Sequence, residues 1–259
     1  MIKEKIIIKN REGLNIVVLV ERPGKVKGLA FVLHGLGGFK EQVHIATFAQ
    51  AFLNSGYIVV RYDTTNSTGK SGGQLEDATT TNYYHDLEDV VSWAKTKNWY
   101  KEPFCLAGHS LGGIGVALYA QNYPEKVKAV APISPVVSGK LSGETYNKKD
   151  LDKWKKTGIK IWESSTSPGL IKRLKWSHFG DRLKYDLLLK ANKLTMPVLI
   201  IVGGKDESTP YKHQKILFDK LPGKKELHII KNAPHTFVDK KHLIEIKEIF
   251  LKWIRLLDT

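Results

Sequence analysis

Residues 105–117 of the 259-residue chain read C-L-A-G-H-S-L-G-G-I-G-V-A. An apolar run gives way at Ser110 to a helical pattern, I-G-V-A-L-Y-A, whose opening turns hold Gly112, Gly113 and Gly115. Each glycine inside a helix costs about 0.8–1 kcal/mol relative to alanine. Three so close together point to a spatial demand around Ser110. Gly108 to Gly112 fit G-x-S-x-G between a strand and a helix, an arrangement that lifts a serine hydroxyl above a sheet on a strained turn. Gly108 and Gly112 fall where a side chain would collide with the adjoining strand or helix.

A serine hydroxyl is a weak nucleophile at neutral pH and needs a base within reach and a group to orient that base. Both are expected later in the chain, at strand ends. P-V-L-I-I-V-G-G reads as a buried strand and is followed by D-E-S-T-P, which puts Asp206 at such an end. E-L-H-I-I-K reads as the last strand, and His235 follows it in N-A-P-H-T-F. Upstream, the strand G-L-A-F-V-L-H runs into H-G-L-G-G, residues 34–38. The backbone N–H groups of Leu36 and Leu111 are the expected donors to a developing oxyanion. Gly35 and His109 flank those positions, and His34 is expected to support the turn by hydrogen bonding.

The rest of the chain alternates short apolar runs with amphipathic helical patterns. About eight strands emerge from this reading, the first two being E-K-I-I-I-K and L-N-I-V-V-L-V-E. Helices are expected over residues 41–55, around Tyr84–Ala94, after Ser110 to about Tyr123, and at the C-terminus. Strands alternating with helices imply right-handed crossovers and a mostly parallel sheet covered on both faces, an α/β architecture. Residues 138–190 break the rhythm, being too long for an ordinary connection. They are expected to form an inserted helical cap, leaving 1–137 and 191–259 as the core. Trp154, Trp162, Trp176, His178 and Phe179 lie in this segment and are candidates to face a substrate.

The formal net charge is +15, yet lysines dominate and arginines number only six. Arginine clustering with interleaved aromatics, the mark of specific nucleic-acid binding, is missing, so no nucleic-acid partner is expected. T-G-K-S at 68–71 resembles the end of a phosphate-binding loop, but that motif requires glycine where Thr64 stands. The nine histidines form neither H-E-x-x-H nor a Cys/His cluster, so no metal and no cofactor are expected. Cys105 is the only cysteine and sits in an apolar run, as a buried thiol would. The N-terminus lacks a secretory pattern and no apolar run is long enough for a membrane span; a cytoplasmic protein is expected, with a homodimer left open.

H-G-L-G-G, G-H-S-L-G-G, G-G-K-D-E-S-T-P and A-P-H-T-F together resemble the α/β-hydrolase-fold serine esterases, over nearly the whole chain. A cap of this length and the loop G-K-S-G-G-Q are most similar to the cinnamoyl or feruloyl esterase group. The resemblance implies a carboxylesterase acting on a small-molecule ester, with Ser110, His235 and Asp206 as catalytic triad and an acyl-enzyme intermediate. A thioesterase, a monoacylglycerol lipase or a peptidase-like acyl hydrolase would use the same groups. A non-catalytic ligand-binding homologue would be expected to have lost one of them.

Overall fold

The computed structural model describes residues 2–164 and 167–257. Its core is an eight-stranded sheet in the order β1-β2-β4-β3-β5-β6-β9-β10. The strands are β1 (Ile2–Lys9), β2 (Asn15–Arg22), β3 (Gly28–Leu33), β4 (Tyr57–Tyr62), β5 (Phe104–His109), β6 (Val127–Ile133), β9 (Val198–Gly203) and β10 (Lys225–Ile230). β2 pairs antiparallel with both β1 and β4, and every pairing from β4 to β10 is parallel.

Alternation along the central strands divides the core into two layers. Leu29, Phe31 and Leu33 of β3 face one side, with α2 (Thr80–Ala94) and α3 (Leu111–Asn122). Ala30 and Val32 face the other, with α1 (Val43–Asn54) and α8 (Lys240–Leu256), where Phe48 stacks on Phe250. Both faces of these strands are buried, as side-chain alternation in a covered parallel sheet requires.

The strand order also places the site. From β3 the chain goes to β4 on one side, and β5 then takes the other side of β3. The winding direction reverses there, and the crevice beyond the carboxyl ends of β3 and β5 is where open α/β sheets bind ligands. His34–Gly38 and Ser110 follow directly on those two strands.

Between β6 and β9 the chain leaves the sheet through a narrow neck. Ser138 bridges Asp186, with Gly139 N–H on the Tyr185 carbonyl at 2.9 Å and Leu187 N–H on the Val137 carbonyl at 2.9 Å. The excursion holds α4 (Gly139–Gly143), α5 (Lys148–Thr157), an antiparallel ladder of β7 (Ile159–Glu163) and β8 (Ile171–Lys175), and α6 (Ser177–Arg182). The segment expected to be helical is thus mixed. Lys172 and Leu174 of β8 both point inward while Ile171 and Arg173 point out, so an inward lysine hides the period-two pattern. α7 (Tyr211–Lys220) links β9 to β10.

Candidate active site

Ser110 is the residue between β5 and α3, and its backbone is left-handed, with φ +55° and ψ −113°. This is sparsely populated for any residue with a side chain, so the surroundings must impose it. They do so by contact: a Cβ on Gly108 would lie 2.3 Å from the Gly112 carbonyl oxygen, and one on Gly112 would lie 2.4 Å from that of His34. Strand, turn and helix therefore approach closer than alanine permits.

The imidazole of His235 lies five residues beyond β10 and the carboxylate of Asp206 three beyond β9. His235 Nδ1 donates to Asp206 Oδ2 at 2.8 Å, which leaves Nε2 to accept the Ser110 hydroxyl at 2.9 Å. Asp206 is itself held: the N–H groups of Ser208 and Thr209 donate to Oδ1 at 3.0 and 2.8 Å, and the Thr209 hydroxyl lies 2.9 Å from Oδ2. Burial works against the Asp206 charge, but the hydrogen bonds from His235 and Thr209 outweigh it and keep the carboxyl below its ordinary range.

The second half of the site is a single peptide unit. The Gly35 carbonyl accepts His34 Nδ1–H at 2.8 Å, the Tyr83 hydroxyl at 2.9 Å and the Gly38 N–H at 3.0 Å. His34 can donate there because its Nε2 accepts the Thr64 N–H at 3.0 Å, which fixes the tautomer. In a trans peptide the N–H points opposite to the C=O, so three donors on Gly35 aim the Leu36 N–H the other way. Leu36, Ser110 and Leu111 all line one cavity of about 520 Å³. Among the described residues the N–H groups of Leu36 and Leu111 donate to no other group. Leu111 opens α3, where the helix dipole adds partial positive charge.

The loop from 34 to 40 is anchored to the end of β4. Lys40 N–H and Nζ reach Asp63 at 2.8 and 2.7 Å, and both side chains are fully buried. Lys70 of the phosphate-loop lookalike donates its N–H to the same carboxylate at 2.8 Å, and a Cβ on Gly69 would overlap Asp63. That motif therefore serves as a brace.

His109 donates Nε2–H to the His235 carbonyl at 2.8 Å. Its ring lies between those of His44 and His235, at 4.7 and 4.8 Å. Burial, aided by neighbouring histidine charge, holds His109 far below the ordinary imidazole range and lowers His44 to about 3. Burial also lowers His34. These rings stay neutral and act as spacers and donors.

Of the five candidates in the insert, Trp162 lines the cavity. Trp154, Trp176, His178 and Phe179 instead pack together behind the wall, Trp154 crossing Trp176 edge-on at 5.4 Å. Trp154, His178 and Phe179 are buried, so they form the core of the insert. Sequence reasoning missed Tyr83 and Thr209. Tyr83 lies just before the stretch read as a helix from Tyr84, and only the S-T-P run after Asp206 hinted at Thr209. Among the described residues no group of three or more His, Cys, Asp or Glu is placed to hold a metal ion, and no helix is long and apolar enough to cross a membrane.

Sheet order, elbow and the serine at the switch point define a serine hydrolase of the α/β-hydrolase class. More narrowly, the chain belongs to the serine aminopeptidase S33 family, whose pattern matches residues 24–178, more than half of the sequence. It is 25% identical to an uncharacterized 31.7 kDa protein of the traX-finO intergenic region of Escherichia coli, over 88% of this chain and 90% of that protein. It is 23% identical to the mitochondrial palmitoyl-protein thioesterase ABHD10 of Bos taurus, over 92% and 76% respectively. Among solved structures it shares its fold with Est1E from Butyrivibrio proteoclasticus in complex with ferulic acid. That match has a TM-score of 0.82 at 22% identity and covers 97% of this chain and 98% of the other.

Proposed function

We propose that the chain is a carboxylic ester hydrolase working through an acyl-enzyme on Ser110. The observation that carries this reading is the continuous hydrogen-bond chain from Asp206 through His235 to Ser110, facing two undonated N–H groups. Ser110 Oγ attacks the carbonyl carbon as its proton passes to His235 Nε2. The oxyanion is held by Leu36 and Leu111, and Asp206 stabilises the imidazolium. Collapse expels the alcohol, which takes the proton from His235. Water then repeats the sequence on the acyl-enzyme, releasing the acid and restoring Ser110.

Residues 138–190 act in this reading as the cap that shapes the acyl and alcohol sites. Trp162 of β7 and Lys172 of β8 both line the cavity, which supports it. Est1E was solved with ferulic acid, so hydroxycinnamate esters belong among the substrates to try. A thioester is the second reading, favoured by the bovine relative's name.

The test is turnover of 4-nitrophenyl esters of increasing acyl length, methyl ferulate and an acyl thioester by wild type and Ser110→Ala. Loss of about a thousandfold or more in the variant is expected, with fluorophosphonate labelling of wild type only. Equal turnover by both proteins would overturn the assignment. The ranking of ester against thioester decides between the two readings.

A further inference from the structure

The cavity above Ser110 is lined by cations withdrawn from solvent and by exposed acids. Arg182 lines it and is only 5% exposed. Its Nη1 donates to Ser142 Oγ at 2.7 Å and its Nη2 to the Nε2 of His178. His178 gives its Nδ1–H to the Ala78 carbonyl at 2.7 Å, so it meets the guanidinium as a neutral acceptor. Arg182 Nε is buried with no partner. Lys172, also buried, donates to the Gly37 carbonyl at 2.9 Å, and burial lowers its ammonium with no carboxylate opposing the shift.

Lys160 stands 4.5 Å from the Tyr146 ring centre and 5.7 and 5.8 Å from those of Trp154 and Trp162. Burial keeps the His178 ring neutral, and the charges of Arg182 and, more weakly, Lys160 act in the same direction. Among the described residues none of the three cations has a carboxylate within 4.0 Å. The acids that line the cavity, Asp150, Glu163 and Glu207, are exposed. Asp150 accepts the Asn147 amide and Glu163 the Gly169 N–H.

A buried cation facing only neutral groups is strongly unfavourable until an anion joins it. We propose that the substrate supplies that anion: an ester or thioester bearing a carboxylate or phosphate substituent, seated against Arg182, Lys172 and Lys160. This rests on the reading of Ser110 as the nucleophile. The insert also holds thirteen Lys and Arg against six Asp and Glu, so its field draws anions toward the opening. Both carboxylate and phosphate satisfy the site, and the substrates tested must separate them.

Matched esters do so. On the acyl side, 4-nitrophenyl hydrogen glutarate is compared with 4-nitrophenyl pentanoate. On the alcohol side, 4-carboxyphenyl and 4-phosphonooxyphenyl pentanoates are compared with phenyl pentanoate, all corrected for uncatalysed hydrolysis. At least one anionic member is expected to exceed its neutral partner in kcat/KM by about tenfold or more, a margin that shrinks with added salt. The ratio should collapse in Lys160→Gln and Arg182→Gln and survive in Arg182→Lys. Lys160 is half-buried, so its variant tests the idea even where Arg182→Gln fails to fold. Neutral esters turned over with no anionic preference at either end would overturn the proposal and leave the hydrolase reading standing. If no ester is turned over, the hydrolase reading fails. Calorimetry of Ser110→Ala with glutarate and phenyl phosphate then decides: binding that Lys160→Gln abolishes supports the anion site, and no binding overturns it.

Discussion

The phenolic hydroxyl of Tyr83 donates to the carbonyl of Gly35 at 2.9 Å, from a helix on one face of the sheet to the loop that ends β3. That carbonyl and the Leu36 N–H belong to one rigid peptide plane, so Tyr83 helps set where the N–H points without facing the cavity. Burial raises the Tyr83 hydroxyl well above its ordinary range, so it remains a donor at any working pH. Tyr83→Phe leaves His34 and Gly38 on the same oxygen, and the stability cost should be about 1 kcal/mol. The plane gains freedom to tilt, and kcat should fall about three- to tenfold with KM nearly constant. Steady-state kinetics beside a urea titration separates the two effects. An unchanged kcat would show that the peptide needs no third donor.

Thr209 plays the matching part for the carboxylate. Its hydroxyl reaches Asp206 Oδ2 and the Ser134 carbonyl at 2.9 and 3.0 Å, and its N–H reaches Oδ1. Thr209→Val keeps the N–H and the shape but removes the hydroxyl. Loss of one hydrogen bond to a charged group is expected to reduce kcat about tenfold, and Thr209→Ser should restore most of it. Failure of serine to rescue would mean that packing, not the hydroxyl, matters at this position.

Asp63 gives a pH-dependent prediction. Burial would raise its carboxyl, but the Lys40 ammonium and the N–H groups of Lys40 and Lys70 reverse this and hold it below its ordinary range. A depressed folded value means the stabilisation is complete above the unfolded value, about 3.9, and is lost as pH falls from there through the folded one. Asp63→Asn leaves the buried Lys40 with only the half-exposed Glu41, 3.0 Å away, and should cost about 3–5 kcal/mol at pH 7. Urea unfolding should find the same gap at pH 5 and a narrower one only below about pH 4. A gap already closed at pH 5 would contradict the buried pair.

The eight sheet strands were legible because the central ones are largely apolar on both faces, as Leu29–Leu33 show, and their ends mark where Asp206 and His235 lie. The ladder of β7 and β8 was not, because Lys172 occupies an inward position that pattern reading assigns to solvent. The aromatics of the insert were legible as a cluster but not by role: composition cannot tell Trp162, on the cavity wall, from Trp154, in the core behind it. Tyr83 was hidden for a different reason. Its partner, Gly35, lies 48 residues away in sequence, and no local periodicity records such a bond.

The glycines of α3 yield the sharpest structural contrast. A Cβ on Gly112 would sit 2.4 Å from the His34 carbonyl oxygen, whereas one on Gly115 would find Leu33 Cδ2 at 3.8 Å, an ordinary contact. The three glycines therefore do not share one cause. Gly112→Ala must push helix from strand where the elbow is formed, and should cost about 1–3 kcal/mol or more, together with most of the activity. Gly115→Ala adds a methyl group at ordinary contact distance from Leu33 and Tyr83, with no clash, and removes backbone freedom from the unfolded chain. It is expected to stabilise the protein by about 0.4–1 kcal/mol with esterase activity unchanged. Denaturant midpoints of the two variants beside wild type make the comparison. Equal destabilisation at both positions would show that helix packing, and not the approach to His34, sets the demand for glycine after Ser110.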